Sequence, residues 1–356
     1  MPSQAHEPAL ETLSQRFVRF AQRECHVSPL YERLSSGIAC DPEVLAIAAH
    51  ARRGQPVPNL FLAAIHFMLL KSVQDPLMAF YPSLSRSAVR AEDPYPSFRA
   101  FCLEHREQIQ ALIATRLVQT NEVRRCGCLL PAFAAVASRA QGRPLALVEI
   151  GASAGLNLLW DRYGYDYGDD RPYGDSSSPV QLVCALRGDR RPPLPAVLPA
   201  VATRVGLDLN PIDVRDPEAV LWLRALVWPD EAGRDDLLQR ALQLAQREPP
   251  RLLAGNALDL LPEVLATIAA DQALCVFHTH TVNQFPPEER ARLASRLIAC
   301  GATRDLYQVS IEWLGEPSPH LELVAFERGM KTATLLAYCG SHGEWLEWLD
   351  VGSEPL

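Results

Sequence analysis

Three groups of residues in this 356-residue chain have the types and spacing of a ligand site. Glu149, Gly151, Ser153 and Gly155 recur at every second position between two apolar runs, LALV and LNLLW. A buried strand that reverses into a helix through glycines lets the backbone approach a ligand closely, and the helix's free N–H groups then face it. The chemistry implied is the holding of a nucleotide-like cofactor. Asp208 closes a second apolar run, RVGLD, which puts a carboxylate at a second strand end. His278 and His280 close a third, ALCVFHTH; two apart on a strand, they share a face, and imidazoles titrate near neutral pH. Both are candidate proton acceptors. No Cys or carboxylate stands at ligand spacing beside them, so no metal is assigned. Cys126-Gly127-Cys128 reads as buried helix cysteines.

The elements that position these residues form two domains, residues 1–140 and 141–356. In the first, Leu10, Leu13, Phe17 and Phe20 fall on one helix face, Asp41-Pro42-Glu43 is a cap with proline at the first helical position, and another helix runs from Ser97 to Leu117. This predicts an all-α cap. In the second, strands at 145–150, 203–208, 251–254, 274–278 and 306–313 alternate with helices, which predicts an α/β domain with a mostly parallel sheet. Strands 321–327 and 331–339 are joined by Arg328-Gly329-Met330, too short for a crossover, and form an antiparallel hairpin at one edge. The stretch 162–200, dense in Tyr, Asp, Gly and Ser, reads as a surface loop able to cover the cleft as a lid. Tyr165 is its candidate catalytic residue, with Tyr163, Asp166, Tyr167 and Tyr173 as further substrate contacts. Glu312 and Trp313 are candidates for the cleft wall.

The spacing acidic-x-Gly-x-Gly-x-Gly, with serine at the middle glycine, resembles that of class I S-adenosylmethionine (SAM) methyltransferases. RVGLDLNP, LLAGNALDLLP and ALCVFHTHTVNQF follow in the corresponding order. The run EIGASAGLNLLWDRYGYDYG, with QTNEVRRCGCLLP, GLDLNP, WPDEAGR and VFHTHT, also resembles the bacterial DUF2332 family over most of the chain. The resemblance implies a class I methyltransferase-like (Rossmann-like) sheet and a site for SAM formed by Glu149, Gly151, Ala152, Ser153, Gly155, Asn157, Asp208, Leu209, Asn256 and Ala257. Asp259 would cap the next helix. Asn121, Glu122, Arg124 and Arg125 stand just before the helix leading into the first strand; from there Asn121 and Arg125 are candidate cofactor contacts, and one arginine could reach the cofactor's carboxylate. Asp208 follows Glu149 at far more than the roughly 20 residues of simple nucleotide folds, so the 162–200 insertion must loop out between them.

Composition fits an intracellular enzyme. The formal charge of −8 and pI near 5.6 argue against nucleic acid as partner. The longest apolar run, LFLAAIHFMLL, is shorter than the roughly 20 residues that cross a membrane. The N-terminus has no basic start before an apolar core, and the nine cysteines read as reduced thiols, so a cytoplasmic protein is expected. The reading is a SAM-dependent methyltransferase acting on a small molecule. A noncatalytic SAM- or nucleotide-binding regulator and an NAD-type oxidoreductase stand as alternatives. The absent G-x-G-x-x-G and the terminal hairpin count against the oxidoreductase, and an adaptor built on the helical half would leave the glycine turn unused.

Overall fold

A computed structural model describes residues 7–71, 74–85, 91–313, 318–349 and 354–355. Its helices are α1 (Glu7–Arg23), α2 (Pro29–Ala39), α3 (Pro42–Ala48), α4 (Val57–Leu70), α5 (Tyr95–Glu104), α6 (Arg106–Thr115), α7 (Cys126–Arg139), α8 (Pro217–Ala225), α9 (Ala232–Arg247), α10 (Ala257–Thr267) and α11 (Pro287–Gly301). The strands are β1 (Leu145–Ile150), β2 (Gly164–Asp166), β3 (Pro172–Gly174), β4 (Gln181–Val183), β5 (Ala185–Arg187), β6 (Val201–Asp208), β7 (Arg251–Ala254), β8 (Ala273–Thr279), β9 (Leu306–Glu312), β10 (His320–Glu327), β11 (Met330–Cys339), β12 (Trp345–Trp348) and β13 (Glu354–Pro355).

The chain divides into two compact units, Met1–Thr120 with Arg215–Gln239, and Asn121–Val214 with Arg240–Leu356. The division falls ahead of α7, not at residue 140, and the helical unit takes back a second segment that carries α8. Its core is built on Phe17, Phe61, Phe98 and Ile109. Asp41 accepts from the N–H groups of Glu43 and Val44, so α3 starts where the cap and proline predict. The single helix expected from Ser97 is two, broken at His105; Asp93 accepts from Tyr95 N–H where the first begins.

In the second unit one large sheet runs β5-β12-β11-β10-β9-β8-β1-β6-β7. β7, β6, β1, β8 and β9 pair in parallel. Counted along the chain, these five stand in the order 3-2-1-4-5 of a doubly wound sheet. β1 and β8 are buried along their whole length, as strands covered on both faces must be, and hence read as apolar runs with Glu149, His278 and Thr279 as exceptions. Strand order reverses beside β1, and ligands of such sheets bind in the crevice outside the carboxyl ends there.

Two expectations need correction. β10 and β11 form the antiparallel hairpin, with Arg328 and Gly329 left-handed in its turn, but it is not an edge: β12 and β5 extend the sheet beyond it. The 162–200 insertion is not a surface loop. It supplies β5 and a separate three-stranded sheet, β3-β2-β4. The sequence pattern missed this because the tyrosines bury rings while their hydroxyls find backbone partners.

Candidate functional site

The turn after β1 is fixed by backbone geometry. Gly151 (φ +75°), Ser153 (φ +54°) and Gly155 (φ +73°) are all left-handed, which accounts for the alternate-residue glycine spacing; Ser153 occupies such a position with a side chain. The Gly151 N–H donates to the Leu207 carbonyl at 2.8 Å, tying the turn to β6. A Cβ on Gly151 would lie 2.3 Å from Thr281 Oγ1, and one on Gly155 2.6 Å from Pro250 Cγ. Both glycines therefore admit neighbouring protein segments. The element that follows is a 3-10 helix, Leu156–Arg162, not the α-helix expected, and its Leu156 N–H is already taken by Asn121 Oδ1 at 3.0 Å. Asn121 thus holds the start of that helix through its side chain.

Around this turn lie two carboxylates of opposite character. Asp208 Oδ2 accepts from Ser153 N–H at 2.8 Å and Oδ1 from Asn210 N–H at 2.7 Å. Glu149 is 1% exposed; its Oε1 accepts from Asn157 Nδ2 at 3.1 Å, while Oε2 has no partner. Burial pushes the Glu149 carboxyl well above the usual carboxylate range, Asp208 adds to this, and Asn157 and Arg125 offset it in part. The buried Ser153 Oγ is also without a partner. Ala152 is fully buried beside Gly206, whereas Leu209 is 69% exposed directly after Asp208. After β7, Asn256 accepts from Leu258 N–H at 2.9 Å and caps α10, the role expected of Asp259, which instead pairs with Arg292. Ala257 is the first residue of that helix.

Beyond β1, the two histidines have different fates. His278 Nδ1 bonds Glu312 Oε1 at 2.6 Å, and its Nε2 receives the Gln308 amide at 3.0 Å. Both nitrogens are committed, so His278 is a positioning residue and not the proton acceptor expected. Glu312 also accepts from the N–H groups of Thr281, Val282 and Asn283, each at 3.0 Å, which caps the 3-10 helix Val282–Gln284. Although burial opposes it, His278 and these N–H groups hold the Glu312 carboxyl below its usual range. His280, next along, has φ +51° and a buried, unpartnered Nε2. Burial and Arg125 push its imidazole down to about 4, so it is neutral at physiological pH. Arg125 donates from Nε to the Ser341 carbonyl (3.1 Å) and from Nη1 to Thr279 Oγ1 (3.3 Å), beside His280. The Ser341 loop carries no motif that would have marked it in the sequence.

The tyrosines of the insertion do not join this group. Tyr165 is 2% exposed and donates to the Trp160 carbonyl; Tyr163 donates to Leu156 at 2.7 Å and Tyr167 to Gly127 at 2.6 Å. Tyr173 pairs with Asp169 at 2.6 Å. Their rings form the core of the small sheet, and Tyr165 is not a catalytic candidate. Trp313, 47% exposed, directly follows β9. Among the described residues no group of three or more His, Cys, Asp or Glu could hold a metal ion, and no helix is long and apolar enough to cross a membrane.

Fold and site together define an α/β protein with a doubly wound core and, beside its switch point, buried side-chain atoms without hydrogen-bond partners among the described residues. The chain belongs to the DUF2332 family, described as an uncharacterized protein conserved in bacteria, whose pattern matches residues 14–348. No curated protein and no solved structure matches it.

Proposed function

We propose that this chain binds SAM at the carboxyl ends of β1 and β6 and directs methyl transfer to a small-molecule acceptor. One observation carries the reading: Glu149 Oε2 and Ser153 Oγ are buried without partners on the same turn whose Ser153 N–H is held by Asp208. Buried polar atoms in native proteins are otherwise almost always satisfied, by protein, water or ligand. The residues fit the cofactor. Asp208 closes β6, the strand end at which the resemblance places the carboxylate that holds the ribose. Glu149 offers a buried acid to a cationic amine or sulfonium, Leu209 offers exposed apolar surface beside Asp208, and Arg125 offers a guanidinium for a carboxylate. When bound, SAM supplies an electrophilic methyl carbon. The protein's part is positioning and exclusion of water. All nine cysteines are free thiols, which supports a cytoplasmic setting.

The commitment of both His278 nitrogens favours a second reading, a noncatalytic SAM-binding regulator. An NAD-type oxidoreductase suits the sheet but not the turn, which lacks G-x-G-x-x-G. Calorimetric titration with SAM, S-adenosylhomocysteine and NAD tests the proposal, since it requires the first two to bind and the third not to.

A further inference from the structure

We infer that a cleft at the amino ends of β1 and β9 is a second ligand site, which takes a small organic anion, a phosphate monoester before a carboxylate, on the guanidinium groups of Arg143 and Arg328. The cleft measures about 510 Å³, within the roughly 300–1,000 Å³ of small-molecule pockets. Its walls come from the end of α7, the residues before β1 and β9, and the β10–β11 hairpin. The crevice proposed for SAM lies at the opposite ends of these strands, and binding here does not depend on it.

Three guanidinium groups, from Arg139, Arg143 and Arg328, meet two carboxylates in this cleft. Both acids are engaged. Glu327 accepts from Arg139 Nη2 at 2.8 Å and, on Oε1, from Arg139 Nε at 3.3 Å and the Tyr307 hydroxyl at 2.9 Å. Asp305 accepts from the Arg328 N–H at 3.0 Å and from Arg143 Nη2 at 3.5 Å. Carbonyls at the end of α7 are also taken: Ala137 by Gly142 N–H, Ser138 by Gln141 N–H, and Ala140 by the N–H and Nε of Arg143. What remains is positive. The Arg328 guanidinium makes no hydrogen bond or ion pair with any described residue, and Arg143 reaches Asp305 through one nitrogen at the long limit of a hydrogen bond. In a chain of formal charge −8 this is a local exception.

The residue types at two wall positions are not explained by the turns that hold them. Arg328 (φ +51°) opens the two-residue turn between Glu327 and Met330, and Gln141 (φ +57°) is the first left-handed residue after α7. Glycine or asparagine fits either position at less conformational cost. Neither the Arg328 guanidinium nor the Gln141 amide bonds a described residue, so neither side chain serves its own turn. Residues kept in this conformation cluster at functional sites.

A guanidinium is a planar fork of charged donors that matches the oxygens of a phosphate or a carboxylate. A phosphate monoester carries close to two negative charges at pH 7 and so suits two such groups better than a carboxylate does. Met330, paired with Glu327 across the hairpin and 68% exposed, gives the cleft an apolar, polarisable side for a carbon skeleton. That side favours an organic anion over a bare ion.

The test is carbon-13 NMR of the methionine methyl groups in the full-length protein, with the Met330 signal assigned by its loss in Met330→Leu. Met68 and Met78 do not line the cleft and serve as internal controls. At low ionic strength phenyl phosphate should shift the Met330 signal saturably and leave the controls in place. Benzoate and inorganic phosphate should bind more weakly, and phenyltrimethylammonium should not bind. Arg328→Gly removes the guanidinium and supplies the residue the turn prefers. Its melting temperature should therefore equal or exceed that of the wild type, while phenyl phosphate binds tenfold or more weakly, the worth of one hydrogen bond between charged groups. Arg143→Gln should weaken phenyl phosphate as well. No saturable Met330 shift, an equal response to phenyltrimethylammonium, or full affinity in either arginine variant overturns the inference. Inorganic phosphate or benzoate binding as tightly as phenyl phosphate overturns the choice of an organic phosphate.

Discussion

Asp208 Oδ2 lies 2.8 Å from the backbone nitrogen of Ser153, and this bond joins the end of β6 to a turn residue that is left-handed without being glycine. The carboxylate thereby stabilises the turn from the end of β6. One residue serves both the fold and the proposed ribose contact.

Gly151 should prove intolerant for a reason internal to the protein. A Cβ there would meet Thr281 Oγ1 at 2.3 Å and Cγ2 at 2.5 Å in a left-handed backbone, so Gly151→Ala should destabilise by about 2 kcal/mol or more. Thr281→Gly removes the opposing atoms and should make the second substitution cost less than the first alone. Denaturant unfolding of the two single variants and the double variant measures this; additive losses would show that the clash is not the cause.

Glu149→Gln should stabilise the unliganded protein and weaken SAM. The folded carboxyl stays protonated above the pH at which the unfolded one ionises, so the unfolded state binds fewer protons there and stability falls as pH rises past 4.5. Gln keeps an oxygen for Asn157 Nδ2 and removes that slope, so its advantage over the wild type is greatest at high pH. Thermal melts from pH 5 to 8 should show the variant's advantage growing with pH. An advantage that shrinks would place an ionised Glu149 in the empty site.

Acid sensitivity should begin well above the carboxylate range. His66, buried between the Ala225 carbonyl (3.1 Å) and Ser83 Oγ (2.9 Å), has its imidazole pushed by burial to about 4, as has His280. Unfolded histidines take a proton below about 6.5. Between 6.5 and 4 the unfolded state therefore binds more protons, and stability is lost as pH falls through that window, by up to about 3 kcal/mol for His66 at 1.36 kcal/mol per pH unit. His66→Asn should flatten the slope, measured by urea midpoints against pH. An unchanged slope would contradict the assignment.

Much of the core was legible because buried parallel strands write themselves as apolar runs. β1, β7 and β9 fall close to where their sequences place them, and the Asp41-Pro42 cap starts α3. Positions in the turn were legible too, since a left-handed backbone demands glycine or exacts a cost. The insertion was not. Tyr163, Tyr165 and Tyr167 look like surface residues until long-range pairing buries their rings and backbone carbonyls take their hydroxyls. The difference between His278 and His280 was likewise invisible, because it depends on Glu312 and Gln308 from another strand.

The most direct measurement is calorimetric titration of the intact protein and of Asp208→Asn with SAM, S-adenosylhomocysteine and NAD. The account predicts that SAM and S-adenosylhomocysteine bind one per chain, that both weaken alike by about 1.5–3 kcal/mol in the variant, because each carries the ribose, and that NAD gives no heat. Silence from SAM with a folded protein, or affinity that Asp208→Asn leaves unchanged, would contradict it.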